Sequence, residues 1–497
     1  MRVTPRSAVL DFASSHALAL VVGLAALIRF ATLGPQSLWY DEAVTVTETH
    51  GSLGAMFHGV HAVEGSPPLY FIVLWGWQKV VGGGDIAVRS FSALIGTATV
   101  PVVYAAAREL ASRRAAVVAA ALAATSPLLI WYSQEVRPYP LLVFWAALSF
   151  MFFVYALKRH EPRWLVAWAL ACAAMLATHY FAVALIVPEA AWLVFRFRAA
   201  RGRAMLALAA VAAVGLALLP LWSDQQGRGG WIGFLPQSNR ILAVPQHFVV
   251  GLSVPWKMLG PLVAFLVVVA VVVALVRSDS GSRRPFWLAG GVGLAGAALV
   301  LLAVLFGSDF VITRNLLELW LPFGVAVAVA LAAPGARGFG PGVAVALCAL
   351  GLGLSVWNAT TPAARRIGWD AVARAIGPPS GERVIATPGI YEGVPLSLYL
   401  NDAHVAKPGE SPTASELVLV SLRPVRNYGI GPCFWGADCG GNAFGGSGPP
   451  FGPPPDFRLV RQGATARATY RVYRAPRPTA LPAAGSGQRN IVVQGAG

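Results

Sequence analysis

Long apolar runs separated by short polar stretches set the pattern of this chain of 497 residues. A helix needs about 20 mostly apolar residues to cross the hydrocarbon core of a bilayer, and runs of that kind, closed by charge, Pro or Gly, recur about eleven times. They cover residues 16–33, 86–107, 115–132, 138–157, 164–180, 181–195, 204–222, 258–276, 286–306, 315–333 and 339–357. The fifth and sixth are short and contiguous, so one long span plus a re-entrant piece is the alternative. No small-residue cleavage site closes the first run, which therefore reads as a retained helix. Three stretches leave the pattern: 34–85, 223–257 and everything after 358. Inside the first, PPLYFIVLWGWQKVV at 67–81 is aromatic and apolar but too short to span, and it predicts an interfacial helix with Trp75 and Trp77 at headgroup depth.

After residue 358 the period changes from helical to mixed. A helix at 367–376, a strand at 382–387, a helix near 390–400, a strand at 417–421 and two more at 457–461 and 469–474 predict a small α/β domain over 359–475. A Gly/Pro-rich loop within it holds Cys433 and Cys439, and residues 476–497 read as a disordered tail. The predicted architecture is an α-helical polytopic membrane protein, residues 1–358, carrying a small C-terminal α/β domain.

Composition agrees and adds orientation. Apolar residues make up 56% and charged residues 12%, with a mean hydropathy of +0.62, whereas soluble chains carry about a quarter charged residues. Lys and Arg total 38 against 22 Asp and Glu, a net charge of +16, which in a soluble protein would indicate nucleic acid. The basic residues instead cluster beside the spans: Arg2 and Arg6; Arg108, Arg113 and Arg114; Lys158, Arg159 and Arg163; Arg196, Arg198, Arg201 and Arg203; Arg277, Arg283 and Arg284; Arg337. All fall on one side of the membrane if the amino terminus is inside. The loops 34–85 and 223–257 and the α/β domain are then extracytoplasmic, which permits a Cys433–Cys439 disulfide, and no nucleic acid is needed as partner. Cys172 and Cys348 lie in apolar runs as small core residues, and the chain has no CxxC pair.

Polar residues near apolar spans mark function when they converge on one membrane face. Here they collect at the outer ends: Asp41 and Glu42; His61 and Glu64; Lys79 and Arg89; Gln134, Glu135 and Arg137; His179 and Tyr180; Asp309, Arg314 and Glu318. Taken singly, each has a plain structural role. Acids cap helices, arginines snorkel to lipid phosphate, and Trp and Tyr anchor at headgroup depth. Their shared depth points to an anionic lipid substrate handled at the outer interface.

The order of the motifs is more specific. SLWYDEAVT at 37–45, EGSPPLYFIVLWGW at 64–77, AVRSFSALIG at 87–96, SPLLIWYSQEVRPYPLL at 126–142 and THYFAVAL at 178–185 resemble the GT-C glycosyltransferases. Within them the chain is most similar to bacterial members of family 39, the group of protein O-mannosyltransferases and lipid A aminoarabinose transferases. FVITRNLLELWLP at 310–322 resembles that family's arginine-containing outer turn. One position departs: the family often places His or Lys before the Pro pair where this chain has Ser66, so His61 or Glu64 would compensate.

The resemblance implies a polyprenyl-phosphate sugar donor and an envelope glycan, lipid or protein acceptor. It implies Asp41 as general base, with Glu42 orienting it or binding acceptor or a cation. Arg137 and Arg314, then Arg89 and Lys79, would hold the donor phosphate, with Tyr132, Tyr139 and His179 as hydrogen-bond donors. His61, Glu64 and Glu135 would meet the acceptor or substrate. No second carboxylate is placed as a nucleophile, so inversion at the anomeric carbon is expected. Asp41, Glu42 and His179 could hold a divalent cation, although the first loop has no DxD. No GxxxxGK[ST] cradle for a nucleotide occurs. A lipid or sugar transporter or flippase is the alternative of another class, but transporters carry internal repeats and midplane charges, which this sequence lacks. A scaffold that only binds cell-wall components is a third reading.

Overall fold

The computed structural model describes residues 5–34, 36–196, 201–423, 429–430, 448–486 and 488–495. The chain forms helices α1 (Pro5–Ala31), α2 (Tyr40–His50), α3 (Leu53–Val63), α4 (Leu69–Val81), α5 (Asp85–Leu110), α6 (Arg113–Thr125), α7 (Pro127–Tyr132), α8 (Tyr139–Arg159), α9 (Pro162–Thr178), α10 (Val183–Arg196), α11 (Arg201–Gln225), α12 (Gln237–Val250), α13 (Leu259–Val276), α14 (Ser280–Leu305), α15 (Trp320–Ala332) and α16 (Gly340–Thr360). Among the described residues, two short helices, α17 (Trp369–Ile376) and α18 (Gly393–Ser397), and six strands follow. Two compact units result: residues 1–33 with 48–356, and residues 34–47 with 357–497.

The first unit is helical. Among the described residues seven helices are long and apolar enough to cross a membrane: Asp85–Leu110, Tyr139–Arg159, Arg201–Gly233, Leu259–Val276, Ser280–Leu305, Thr313–Ala332 and Gly340–Thr360. Burial separates the centre from the rim. The apolar windows of 313–332, α8 and α5 are 78%, 61% and 56% buried, those of α11, α13 and α16 only 17%. A helix that is apolar all round yet mostly uncovered faces lipid.

The expected 16–33 span lies in α1, and the other three are broken or short for local reasons. The 115–132 run divides at Ser126, whose hydroxyl accepts from Leu129 N (3.4 Å), and at Pro127, which opens α7 with no N–H to give. The 164–180 and 181–195 runs are two helices, α9 and α10. His179 ends α9 in extended conformation, its imidazole accepts from Phe181 N (3.4 Å), and one 3₁₀ turn follows.

Arg29 resolves the polar groups exposed by the first break. Buried in α1, it donates to the terminal carbonyls of α6 at Ala123 (3.1 Å) and Ala124 (3.0 Å) and to Ser133 Oγ (3.2 Å). Gln134 returns the contact by donating to Arg29 O (3.0 Å) near the end of α1. Each helix end thus has its orphan carbonyls capped from the other element. Gly96 allows this approach, since a Cβ there would overlap Ser133 Oγ.

The second unit holds a sheet of order β2-β6-β1-β3-β5-β4, where β1 is Arg383–Ala386, β2 Ala403–Val405, β3 Thr413–Leu422, β4 Arg458–Ala464, β5 Ala468–Ala480 and β6 Ile491–Gln494. Only β1 and β3 run parallel. Trp369, Val372 and Ile376 of α17 cover one face through Ile385, Val418 and Val472. Phe457, Leu481 and Ile491 pack with Val384, Leu417 and Leu419 on the other. Cover on both faces explains the unbroken apolar runs of β1 and β3.

Three expectations are revised. The segment expected as a disordered tail, 476–497, includes strand among its described residues: β5 continues to Ala480, and β6 pairs with β1 and β2, because IVV supplies apolar side chains that this sheet buries. Residues 34–47 group with the C-terminal unit and not with the membrane helices. Ser37 Oγ donates to Ile367 O and accepts from Trp369 N, both at 2.8 Å, and Leu38 N donates to Tyr399 Oη (2.7 Å). The 223–257 loop contains a helix, α12, that its mixed polar pattern did not predict. Cys433 and Cys439 lie outside the described residues.

Candidate active site

In the helical unit, six of the expected residues come together. Arg137 sits in the turn that Pro138 closes before α8, and Glu64 caps the carboxyl end of α3. Their side chains meet as a fork, Nη1 to Oε1 at 2.6 Å and Nη2 to Oε2 at 2.9 Å, both buried. Paired N–H···O bonds of this kind fix orientation as well as charge. Tyr139, two residues on, packs edge-to-face on Tyr132 (5.0 Å between centroids) and 5.9 Å from the His179 ring. The Arg314 guanidinium lies 5.9 Å over Tyr139 and 5.0 Å over Trp231, and it is half-buried while its neighbours Thr313 and Asn315 are buried. Cation–π contact holds such a group without neutralising it. The result is an aromatic box bearing two guanidiniums, that of Arg137 joined to the Glu64 carboxylate.

Other expected residues lie elsewhere. Arg89 is buried in α5 and donates to Leu33 O (3.2 Å) at the end of α1, as a helix cap does. Lys79 is exposed at the end of α4, over the Trp75 ring and donating to the carbonyls of His50 (3.4 Å) and Gly51 (3.3 Å). Its contacts are thus with the end of α2. Glu135 turns inward and accepts from Trp131 Nε1 (2.7 Å). His61 is exposed and pairs with Asp224 (3.2 Å). These geometries suit helix-end and loop-bracing roles.

In the second unit, Asp41 and Glu42 occupy the first turn of α2. Glu42 is fully buried, paired with Arg366 Nη1 (2.9 Å) and accepting from Trp39 N (3.3 Å). Arg366 also lies 5.0 Å over the Trp39 ring. Asp41 is half-buried, and adjacent Tyr40 stacks on Tyr391 at 4.6 Å. The two acids therefore differ: Glu42 is committed to an ion pair, and Asp41 keeps solvent access. Among the described residues no group of three or more His, Cys, Asp or Glu could hold a metal ion.

Sequence reasoning missed Arg366, Arg228 and Trp231. Arg228 donates to His61 O (2.7 Å) and to Glu64 O. The signal available for the last two was RGGW at 228–231, an Arg and a Trp in a Gly-rich stretch of an outer loop. Arg366 carried no local signal, because its partner lies more than 300 residues earlier.

Residues 65–223 match the family model described as dolichyl-phosphate-mannose-protein mannosyltransferase. No curated protein matches in sequence. Among solved structures, ArnT from Cupriavidus metallidurans bound to undecaprenyl phosphate is similar with 16% identity and a TM-score of 0.53, covering 77% of this chain and 84% of that one. Archaeal oligosaccharyltransferase AglB from Archaeoglobus fulgidus has 13% identity and a TM-score of 0.46, covering 73% and 57%. Arabinosyltransferase EmbB from Mycobacterium smegmatis has 11% identity and a TM-score of 0.46, covering 96% and 64%. At these identities the likeness is one of fold, carried by ArnT. The resemblance to GT-C glycosyltransferases of the O-mannosyltransferase and ArnT-like kind is borne out by that fold and the family match.

Proposed function

We propose that this protein transfers a sugar from a polyprenyl-phosphate donor to an envelope glycan, lipid or protein acceptor at the extracytoplasmic face. The placement of Arg137 and Arg314 about Tyr139 carries this reading. As the glycosidic bond breaks, negative charge grows on the departing isoprenoid phosphate, and fixed guanidiniums favour that charged state over the ground state. Arg314 is the direct phosphate ligand, half-accessible and held by aromatic faces. Arg137, clasped by Glu64, shapes the turn and contributes its positive field. His179 and the tyrosines donate to phosphate or sugar oxygens.

Asp41 takes the proton from the attacking acceptor hydroxyl, a role its motif suggests and its partial exposure suits. Glu42 acts through its Arg366 pair, fixing the first turn of α2. The hydroxyl attacks opposite the phosphate and inverts the anomeric carbon. We place about eleven spans in the plasma membrane, with the amino terminus inside and the C-terminal domain extracytoplasmic, on the distribution of Arg and Lys.

The test is transfer by purified protein in nanodiscs, supplied in turn with labelled polyprenyl-phosphate arabinose, mannose and glucose and with extracted envelope acceptors. One donor should yield labelled acceptor and free polyprenyl phosphate. Translocation of the lipid with no release of its sugar would contradict the reading in favour of a flippase.

A further inference from the structure

The loop between α11 and α13 has no part in the chemistry above, yet it touches both the residue that clasps Arg137 and the segment that carries Arg314. Arg228 donates to the carbonyls of His61 and Glu64, the latter being the residue that clasps Arg137. Trp231 lies under the Arg314 guanidinium at 5.0 Å. Arg240, buried on α12, forks onto Asp309 (Nη1 to Oδ1 at 2.8 Å, Nη2 to Oδ2 at 2.6 Å) and donates to Val311 O (2.8 Å). Gln237 adds a bond to Asp309 (3.0 Å), and buried His247 meets Thr313 Oγ1 at 2.6 Å. The strand of chain from Asp309 to Thr313 leads directly into Arg314 and is thus tied to α12 at both ends.

Arg314 itself begins on a 3₁₀ turn, Thr313–Leu319, and its long side chain would sample many rotamers without lateral support. Tyr139 and Trp231 supply that support. We propose that Trp231 and the Arg240–Asp309 pair are positioning residues that hold Arg314 in its phosphate-binding pose, so that this loop sets affinity for the phosphate of the lipid carrier. This rests on the donor reading above.

Full-length protein in nanodiscs can be titrated with undecaprenyl phosphate and binding read by native mass spectrometry. Loss of one cation–π contact of this kind corresponds to roughly a tenfold fall in affinity, expected for Trp231→Ala with an unchanged melting temperature. Trp231→Phe should recover most of it, and Asp309→Asn should weaken binding likewise, there together with a lower melting temperature from the lost Arg240 pairing. On an Arg314→Ala background, Trp231→Ala should have no further effect, whereas a purely structural role gives additive losses. Equal affinity of wild type and Trp231→Ala, or additivity in the double variant, would overturn the inference alone. Absence of binding by the wild type would overturn the donor reading and this inference with it.

Discussion

Arg137 and Arg314 illustrate how burial decides what a side chain can be asked to do. Breaking a buried ion pair by removing one partner costs about 3–5 kcal/mol, so Arg137→Ala should unfold the protein several degrees lower by removing the fork on Glu64. Arg314 is held by the faces of Tyr139 and Trp231, contacts worth about 0.5–2 kcal/mol, so Arg314→Ala should lower the melting temperature less than Arg137→Ala does while weakening donor binding. Thermal denaturation beside a binding titration separates the two cases. The sequence made both arginines visible as charges near apolar runs. It could not rank them, because the ranking depends on contacts between residues 64 and 137 and between 231 and 314.

Asp309 gives a pH-dependent counterpart. Its carboxyl is held below the ordinary value by hydrogen bonds from Arg240, against the opposing effect of burial, with Val311 N–H and Gln237 assisting. For a carboxyl with a depressed folded-state value, the stabilisation is complete above its unfolded value of about 3.9 and is lost as pH falls through the lower folded value. Wild type should therefore melt above Asp309→Asn at neutral pH, and the gap should close below about pH 4. A gap that persisted into acid would mean the ionised carboxylate is not what stabilises the loop.

At the scale of elements, apolar run length located the helices and the local punctuation explained most of their breaks. What run length could not reveal was how broken ends are satisfied. Arg29 looked like an ordinary end-of-span residue, yet it caps the carbonyls of α6 across about a hundred residues of sequence. Arg29→Met should lower stability by about 1–3 kcal/mol, since buried acceptors would lose their donor. Gly96→Val should cost a similar amount, about 1–3 kcal/mol, by forcing α5 away from Ser133. Denaturant midpoints of the detergent-solubilised protein check both. Similarly, β6 escaped detection because four residues, Ile491–Gln494, are too few to show a period. Only the two strands beside it give IVV its meaning. Deleting residues from 488 onward should expose β1 on one edge and destabilise the sheet, read as loss of protection in hydrogen exchange over 383–386.

For the whole molecule, composition and charge asymmetry conveyed the class and the motif order conveyed the fold, while the membership of residues 34–47 in the C-terminal unit needed three dimensions. On the proposed reading that membership gives the tail a role, because Glu42 is held by Arg366 and so the turn bearing Asp41 depends on residues after 357. The central claim is that this turn supplies the base for sugar transfer. It is tested most directly by single-turnover transfer from the labelled lipid-phosphate sugar that wild type accepts, using Asp41→Asn. A lost general base predicts a rate lower by about 10²–10⁴-fold with donor binding retained, whereas transfer at the wild-type rate would contradict the account.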